Sequence, residues 1–305
     1  MRKYGCQNMV GRLRQVIVRV PDEAFANADP EDWHYHGAPE LERAREEHRA
    51  FVRILEEAGA DVVFHDQPLE GLADAIYTHD SALVTDHGSI VLRMGKARRR
   101  GEEDAMARLL SSLGVPVLGR LKGEARAEGG DLLWLDKETL AVGLGFRTNE
   151  EGAAQLRDLL APIGVRVLTY DLPVYRGPDA CLHLMSIISM VDDDLVVAYP
   201  PLMPVRLQHE LESRGIEAIE VPEDEFVHGQ ATNVLALAPR DVVLLQGNRA
   251  TEERLRAAGC RVQTYRGDEI SLKAEGGATC LTRPVLRDDT RPARGRSAQS
   301  RRRLA

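Results

Sequence analysis

Apolar and polar positions along this chain recur in the same order about every fifty residues. Five segments have helical apolar spacing, end in a glycine and run directly into a short apolar strand: RILEEAG-ADVVFHD, RLLSSLG-VPVLGRL, DLLAPIG-VRVLTYD, ELESRG-IEAIEVP and RLRAAG-CRVQTYR. A glycine just past a helix end is a common stop, because it adopts the left-handed conformation without strain. The pattern predicts five helix-to-strand units, closed by Gly59, Gly114, Gly164, Gly215 and Gly259.

Between these units lie segments that alternate apolar and polar residues, turn at Asp, Gly or Pro, and alternate again. They are SALVTDHGSIVLRMG, DLLWLDKETLAVG, SIISMVDDDLVVAYP and NVLALAPRDVVLLQG. Period-two alternation on both sides of a turn predicts a β-hairpin. RQVIVRVP near the N-terminus and ATCLTRPV near the C-terminus supply the remaining strands.

The fold class that follows is α/β: a five-fold pseudo-symmetric α/β propeller of hairpin, helix and strand modules. An ordinary doubly wound sheet is the alternative, since it also alternates helices and strands. The regular repeat favours the ring, and the sequence contains no GxGxxG or GxxxxGK[ST] phosphate loop. A closed ring has a central axis, where we expect a small-molecule site.

The length alone allows one large domain or two ordinary ones. Together with the repeat it predicts a single propeller domain, residues 1–285, followed by a basic tail, residues 286–305. With 305 residues and 43% hydrophobic residues the chain can bury a sizeable core. No apolar run approaches the roughly 18 residues that span a bilayer, and the N-terminal residues lack the apolar segment of a secretory signal. We therefore expect a cytoplasmic protein that does not act at a membrane.

Charge is distributed unevenly between the predicted domain and its tail. The formal net charge is -8, yet the last twenty residues carry seven arginines against two aspartates. An acidic body argues against an enzyme that acts on nucleic acid, whereas a basic tail can bind polyanions non-specifically. We expect a solvated, disordered tail, with a polyanion-binding arm as the alternative.

Chemically useful residues occupy equivalent places in the modules, just before or at the first hairpin strand. In a ring these places face one axis, so residues about fifty positions apart can meet in one pocket. A lone cysteine or histidine is more often structural than catalytic, but structural uses would not share a module position. The five positions are Asp80, Glu128, His183, Asn233 and Cys280.

A thiol, an imidazole and two carboxylates together indicate a specific chemistry. The thiolate is a nucleophile, and the imidazole gives and takes protons near neutral pH. Carboxylates would oppose the oxyanion of acyl transfer, but they suit a planar guanidinium, which pairs bidentately with them. The sequence therefore predicts attack by Cys280 on a guanidinium or amidinium carbon.

The phrases EGGDLLWLD, GFRTNEEG, CLHLMS and GGATCLTRP, with RMGKARRRGEE in support, carry a family resemblance. The chain resembles the guanidino-group-modifying enzymes of the pentein fold. It is most similar to dimethylarginine dimethylaminohydrolase, with arginine deiminases and amidinotransferases as relatives. The matching phrases run from about residue 74 to residue 284, and RQVIVRVP extends the match toward the N-terminus.

The resemblance implies a role for each matching residue and implies no cofactor and no metal. Cys280 is the nucleophile, His183 the general acid and base, and Glu128 a carboxylate that holds guanidinium nitrogens. Asp80 resembles a second such carboxylate, and Arg147 an arginine that pairs with a substrate carboxylate. One of the three adjacent arginines Arg98, Arg99 and Arg100 assists Arg147, with Arg99 as the candidate. Further substrate-binding candidates are Asp74 and Glu275.

The expected reaction is hydrolysis of an arginine-like guanidine to citrulline and an amine, through a covalent amidino-thioether on Cys280. Two positions depart from the relatives: Met185 replaces the aspartate of arginine deiminases and the lysine of dimethylarginine hydrolases, and His79 replaces an acidic residue of the latter. The alternatives are an amidinotransferase that uses the same thioether, a non-catalytic binding propeller, and a metal site of Cys181, His183 and Cys280. The partner is a small guanidine; the oligomeric state stays open, with a homodimer as one arrangement.

Overall fold

The computed structural model describes residues 2–178, 180 and 182–289. Within them the chain forms five three-stranded sheets, and four of these are built from consecutive segments in the same way. Two strands form an antiparallel hairpin, a helix follows, and a third strand then pairs parallel to the second strand of the hairpin. The predicted five-fold α/β propeller is confirmed.

The strands of the hairpins and of the helix-to-strand units fall where the alternation predicts them. They are β1 (Leu13–Val18), β2 (Asp61–Phe64), β3 (Ala82–Thr85), β4 (Gly88–Val91), β5 (Val117–Arg120), β6 (Leu132–Asp136), β7 (Thr139–Leu144), β8 (Arg166–Asp171), β9 (Ile188–Asp192), β10 (Leu195–Ala198), β11 (Glu217–Glu220), β12 (Leu235–Ala238), β13 (Asp241–Leu245), β14 (Arg261–Tyr265) and β15 (Arg283–Arg287).

Five helices connect second and third strands, and three shorter helices were not predicted. Two of the short helices lie between β1 and the first long helix, and one lies between β11 and β12. In chain order the helices are α1 (Glu23–Ala26), α2 (Pro30–Trp33), α3 (Leu41–Glu57), α4 (Glu102–Ser112), α5 (Glu150–Leu160), α6 (Val205–Arg214), α7 (Glu223–Gly229) and α8 (Arg249–Ala257).

The two chain ends share one sheet, and this pairing closes the ring. β15 runs antiparallel to β1, with Ile17 opposite Arg283, and β2 runs parallel to β1 on its other side. β15 therefore takes the place that β3, β6, β9 and β12 hold in the other sheets. The predicted strand ATCLTRPV starts later than expected, because Cys280 lies in the turn that precedes β15.

All five predicted stop glycines adopt the left-handed conformation. Their φ angles lie between +70° and +89°. An L-residue with a Cβ is disfavoured there, which explains glycine at the same point of every module. The sequence reading of these positions is confirmed.

Burial decreases from the first to the third strand of a sheet. β3 and β4 are buried along their whole length, whereas β5 is mostly exposed. The long helices pack their apolar faces on the sheets; in α3, Phe51 and Leu55 are fully buried, and the Phe51 ring lies 4.8 Å from that of Tyr265. None of the described helices combines the length and apolarity needed to cross a membrane.

The described structure continues beyond the predicted domain boundary at residue 285. β15 extends to Arg287, and the two aspartates that follow form ion pairs with the body of the protein: Asp288 with Arg14 at 2.6 Å, and Asp289 with Arg2 at 3.1 Å. Residues 286–289 thus belong to the folded part. The rest of the predicted tail, residues 290–305, lies outside the described residues.

Replacing Gly215 with alanine is expected to lower the free energy of unfolding by about 1 kcal/mol, because an L-residue at a φ of +70° is strained. No atom lies within 4 Å of the added Cβ, so the cost is confined to the backbone. Urea denaturation measures the change. Gly37→Ala is the control, since Gly37 has equal space and no left-handed φ; equal midpoints for the two variants would contradict the assignment.

Candidate active site

Five loops bring the module-equivalent residues together at one end of the ring. Each loop directly precedes the first strand of a sheet, counting β15 as the first strand of the sheet that holds both chain ends. Four of the five side chains line one cavity, and the fifth, Glu128, is hydrogen-bonded to one of those four. The cavity-lining four are Asp80, His183, Asn233 and Cys280.

The cavity has a volume of about 370 Å³ and polar as well as apolar walls. Two of the short helices complete it: α2 contributes Trp33, and α7 contributes Phe226, whose ring stacks on that of Tyr199 at a centroid distance of 4.0 Å. Leu182 adds a further apolar side chain. The cavity can therefore hold a charged group at the loop residues and an apolar substituent elsewhere.

Glu128 and His183 form a buried acid and base pair. His183 Nε2 lies 2.7 Å from Glu128 Oε2, and both side chains are at least nine-tenths buried. Gly130 makes room for the ring, because a Cβ at this position would lie 2.5 Å from His183 Nδ1. The phrase AEGG occurs twice in the chain, at residues 127–130 and 274–277. In the first copy the glycines serve close packing of loop on loop.

Glu128 stays ionised in spite of its burial. Burial by itself would raise the pKa of Glu128, but the hydrogen bond from His183 and the charge of Arg147 outweigh it and hold that pKa well below its usual value. Its Oε1 accepts hydrogen bonds from the backbone N–H groups of Gly95 and Lys96, both at 2.9 Å. Both carboxylate oxygens are thus engaged within the protein.

This geometry places Glu128 behind His183 and not on the cavity wall. The sequence had predicted that Glu128 would hold guanidinium nitrogens directly. In the structure its contacts instead fix the imidazole ring, and its negative charge favours the protonated form of His183. The carboxylate that lines the cavity is Asp80.

Asp80 is held in place by an arginine that the sequence had assigned to the substrate. Its Oδ2 accepts from Arg99 at 2.6 Å and its Oδ1 accepts from the backbone N–H of Gly130 at 2.9 Å. Burial would raise the pKa of Asp80, but Arg99 and then His183 outweigh it and keep that pKa below its usual value. Asp80 therefore presents a negative charge to the cavity.

Arg99 is a positioning residue in this structure. Besides Asp80 it donates to both oxygens of Glu102, at 2.9 and 2.8 Å, and to the carbonyl of Tyr77 at 3.0 Å. Its two neighbours in the sequence do not reach the site: Arg98 pairs with Asp32 at the surface, and Arg100 is exposed. Direct contact between Arg99 and a substrate carboxylate is not supported by these contacts.

The Cys280 thiol lines the cavity and accepts a hydrogen bond from Asn233 Nδ2 at 3.1 Å. Burial and the neighbouring Asp80 raise the pKa of Cys280 to about 11, although the hydrogen bond from Asn233 and the charge of His183 act in the opposite direction. Cys280 is therefore a neutral thiol at neutral pH in the free protein.

Asn233 is a site residue whose role the sequence did not reveal. Its Oδ1 accepts from the backbone N–H of Thr279 at 2.9 Å, and this bond directs the amide nitrogen toward the sulfur. Gly277 packs against it, since a Cβ there would lie 2.4 Å from Asn233 Cγ. Its place in the fourth module was visible in the sequence, but an amide gave no chemical reason to select it.

Asp131 supports the loop that carries His183 and was also missed. Its Oδ1 accepts from the backbone N–H of Leu184 at 2.9 Å, and its Oδ2 accepts from the Thr148 hydroxyl at 2.6 Å. Burial raises the pKa of Asp131 to about 6. As the last residue of EGGD it could have been read as an ordinary turn carboxylate.

The other predicted substrate-binding residues lie in the cavity wall with partners of their own. Arg147 Nη1 lies 3.3 Å from Glu128 Oε2. Asp74 accepts from Tyr35 Oη at 2.8 Å and from Lys96 Nζ at 2.6 Å. These residues surround the Glu128 and His183 pair with charge.

Glu275 lies at the cavity edge, where its side chain is one-third exposed and 2.7 Å from His36 Nε2. It is the second AEGG glutamate and adopts a left-handed φ of +58°. The two AEGG phrases therefore differ in use. The first glutamate lies buried behind the imidazole, and the second lies beside the cavity entrance.

Both positions that depart from the relatives are buried away from the main cavity. His79 Nδ1 lies 2.9 Å from the carbonyl of Thr282, and burial together with Arg283 lowers the pKa of His79 to about 3, so it is neutral. Met185 belongs to the hydrophobic core. As they stand, the neutral His79 and Met185 present no charge to a ligand in the main cavity.

Asp80, Glu128 and His183 offer ligand-type atoms within 4.8 Å of one another. Arg99 contacts Asp80, and Arg147 and backbone N–H groups contact Glu128, so both carboxylates stay ionised and oriented. This arrangement suits proton transfer and recognition of a cation. Cys181, a candidate ligand in the alternative metal site, lies outside the described residues.

Comparison with known proteins agrees with this geometry. Residues 21–287 match the family model described as N,N dimethylarginine dimethylhydrolase, eukaryotic. The Bacillus subtilis protein YkgA is 25% identical over 94% of this chain and 96% of its own. The Pseudomonas aeruginosa N(G),N(G)-dimethylarginine dimethylaminohydrolase is 24% identical over 88% of this chain and 98% of its own, and an arginine deiminase of Listeria welshimeri is 26% identical over 72% of this chain. The alignment spans only 63% of that deiminase.

Two solved structures have the same fold. The Pseudomonas aeruginosa DDAH complexed with citrulline superposes with a TM-score of 0.74 at 23% identity, covering 89% of this chain and 98% of that chain. The N-terminal domain of ArgZ, an arginine dihydrolase from Cyanobacteria, bound to product, superposes with a TM-score of 0.77 at 24% identity, covering 90% and 97%. The fold is therefore the pentein fold.

Cys280 in the free protein is expected to titrate near pH 11, above its ordinary value of 9.0, because burial and Asp80 disfavour the thiolate. The measurement is the ultraviolet absorbance of the thiolate against pH for the native chain minus that for Cys280→Ser, so that the other three cysteines cancel. A difference titration with its midpoint below pH 9 would show a preformed thiolate and contradict this electrostatic account.

Proposed function

The chain belongs to the N,N-dimethylarginine dimethylhydrolase family, and on that premise we propose that it is a cysteine-dependent hydrolase of an arginine-like guanidine. The products are citrulline and ammonia, or citrulline and an alkylamine when the substrate is a methylated arginine. The observation that carries the proposal is the placement of Cys280 on the same cavity as ionised Asp80 and the paired His183.

Recognition rests on the negative charge of Asp80. A guanidinium ion donates forked N–H groups to a carboxylate, and a buried ionised carboxylate favours a cation over a neutral ligand. Arg99 and Gly130 leave Asp80 in a fixed orientation. The guanidinium carbon would then lie between Asp80 and the sulfur of Cys280.

Arrival of the substrate activates the nucleophile. Asp80 raises the pKa of the Cys280 thiol in the free protein. A bound guanidinium neutralises that carboxylate and adds a positive charge beside the sulfur, and both changes favour the thiolate. Asn233 stabilises the thiolate further through its Nδ2 hydrogen bond. The thiol proton passes to His183.

The first half of the reaction forms a carbon–sulfur bond and breaks a carbon–nitrogen bond. The Cys280 thiolate adds to the guanidinium carbon, whose C=N electron pair moves onto nitrogen. His183 protonates the departing amine, and an S-alkylthiouronium remains on Cys280. Ionised Glu128 stabilises the imidazolium from which this proton comes.

Hydrolysis of the thiouronium completes the cycle. A water molecule adds to the same carbon and gives its proton to His183. The carbon–sulfur bond then breaks, the sulfur leaves as thiolate, and the ureido product is released. His183 acts first as an acid and then as a base. The hydrogen bond between its Nε2 and Glu128 therefore serves both halves of the reaction.

Two features bear on the substrate. Arg147 lines the cavity and supplies a positive charge for an amino-acid carboxylate. Leu182 and Phe226 supply apolar surface in the same cavity, which suits N-methyl groups. The relatives include a dimethylarginine dimethylaminohydrolase and arginine deiminases, so methylated arginine is the lead candidate and arginine the second.

The function is tested by incubating the full chain with arginine, methylated arginines, agmatine and simple guanidines, with and without acceptor amines, and identifying products by mass spectrometry. We expect citrulline from methylated arginine or arginine, and no citrulline from Cys280→Ser. Formation of a new guanidine on the acceptor amine would assign the chain to the amidinotransferases instead. Failure of every guanidine to react would leave a binding propeller.

The same panel tests Arg147. Arg147→Ala is expected to lower turnover of arginine substrates while leaving agmatine turnover comparatively unaffected, because agmatine lacks the carboxylate. A loss of about 1–3 kcal/mol in the free energy of transition-state binding corresponds to roughly 5–150-fold in kcat/KM. An equal loss on both substrates would mean that Arg147 acts through Glu128, which its Nη1 approaches.

A further inference from the structure

A second, smaller cavity lies on the ring axis behind the active-site loops. Its lining comes from the first strand of every sheet, from β3, β6, β9, β12 and β15, and from the N-terminal segment around Cys6. His79 and Thr279 belong to its wall, whereas Asp80 and Cys280, their neighbours in the sequence, line the main cavity. We call this space the axial pocket; its polar lining includes Asn8, Trp134, Thr279, Arg283 and Arg287.

Two hydrogen-bond donors in the wall of the axial pocket have no acceptor among the described residues. They are Arg283 Nε and Trp134 Nε1. Arg283 is 5% exposed and Trp134 is 3% exposed, so solvent at the surface does not reach them. A buried N–H without an acceptor costs free energy, and two of them on residues that line one pocket favour an acceptor there.

The axial pocket also carries positive charge that no carboxylate among the described residues contacts directly, although Asp80 acts on Arg283 through its charge. Arg283 Nη1 donates to the carbonyls of His79 and Ala82, and Arg287 Nη1 donates to those of Gly11 and Ala236. Among the described residues neither arginine has a carboxylate within ion-pair distance, in contrast to Arg99. Arg283 Nη2 also lies 3.4 Å from Nε2 of the neutral His79. Two buried guanidinium groups whose partners are neutral favour an anion nearby.

The other titratable groups that face the axial pocket do not supply that negative charge. Burial raises the pKa of the Cys6 thiol, so Cys6 is neutral, and His79 is neutral because its pKa is lowered to about 3. Burial lowers the pKa of Arg283 to about 10, which leaves it cationic at neutral pH. The net charge around the pocket is therefore positive.

Size restricts the occupant. The axial pocket has a volume of about 20 Å³, which is enough for one water-sized particle and too small for sulfate, phosphate or a carboxylic acid. We propose that the axial pocket binds a single small monovalent anion of halide size, held by Arg283 Nε and Trp134 Nε1. The anion balances the two buried arginines at the point where the five sheets meet.

The proposed anion site affects the active site only by stabilising its structure. Arg283 holds the backbone carbonyl of His79, the residue before Asp80, so an anion on Arg283 stabilises the loop that carries Asp80. The proposal is independent of the reaction that the main cavity catalyses. It predicts an anion-dependent stability.

The test is thermal unfolding of the full chain in sodium chloride, sodium bromide and sodium gluconate at one constant ionic strength. Halide is expected to raise Tm saturably by about 2–4 °C, because it binds the folded state only, whereas gluconate is too large to enter. Trp134→Phe keeps the ring and removes one donor, so its halide-dependent rise should shrink by about half. Trp33→Phe is the matched control, since Trp33 lies in the main cavity, and it should keep the full rise.

A second measurement covers the case in which Trp134→Phe fails to fold. Crystals of the native chain grown in bromide are expected to show an anomalous scattering peak beside Arg283 Nε and Trp134 Nε1. A water molecule at that place, without an anomalous signal, would overturn the proposal. So would a Tm rise that is equal in halide and gluconate, or one that Trp134→Phe retains in full.

Discussion

The antiparallel pairing of β15 with β1 is the constraint on which the site depends. Cys280, the proposed nucleophile, lies in the turn before β15, near the C-terminal end of the described chain. Asp80, Glu128 and His183 precede β3, β6 and β9. Only closure of the ring brings Cys280 opposite these residues. Each of the other four sheets is formed by consecutive segments, so the sheet that joins the two ends carries the longest-range contacts and converts a row of modules into a cavity.

Within the closed ring, buried negative charge lies beside the main cavity, and buried positive charge lies beside the axial pocket. On the side of the main cavity, Asp80 and Glu128 remain ionised because Arg99, Arg147, His183 and backbone N–H groups contact them. The cavity therefore favours a cation and leaves the Cys280 thiol neutral until one binds. Behind the loops, Arg283 and Arg287 have only neutral acceptors, and the balance is positive.

The sequence alone could predict the ring and the approximate membership of the site, because both follow from a repeat. Stop glycines and alternating strands fall at nearly equal spacing, and the catalytic candidates fall at one position of each repeat.

The sequence could not predict which of two carboxylates faces the ligand. Glu128 and Asp80 look alike in a sequence, and only the contacts to His183 and Arg99 separate a residue that fixes the imidazole from one that lines the cavity. Asn233 was among the module-equivalent positions, but its role was missed because it depends on the direction of its amide, which Thr279 sets through a backbone contact. The three short helices were missed because α1, α2 and α7 belong to irregular connections outside the repeat.

The central claim is that Cys280 attacks the guanidinium carbon and expels the terminal amine. Intact-mass spectrometry of the full chain, quenched in acid during turnover of arginine and of a methylated arginine, tests it most directly. The account predicts the same adduct from both substrates, because the differing amine has already left and the amino-acid part is retained, and it predicts no adduct on Cys280→Ser. An adduct that keeps only the amidino carbon and its two nitrogens, or turnover that persists in Cys280→Ser, would contradict it.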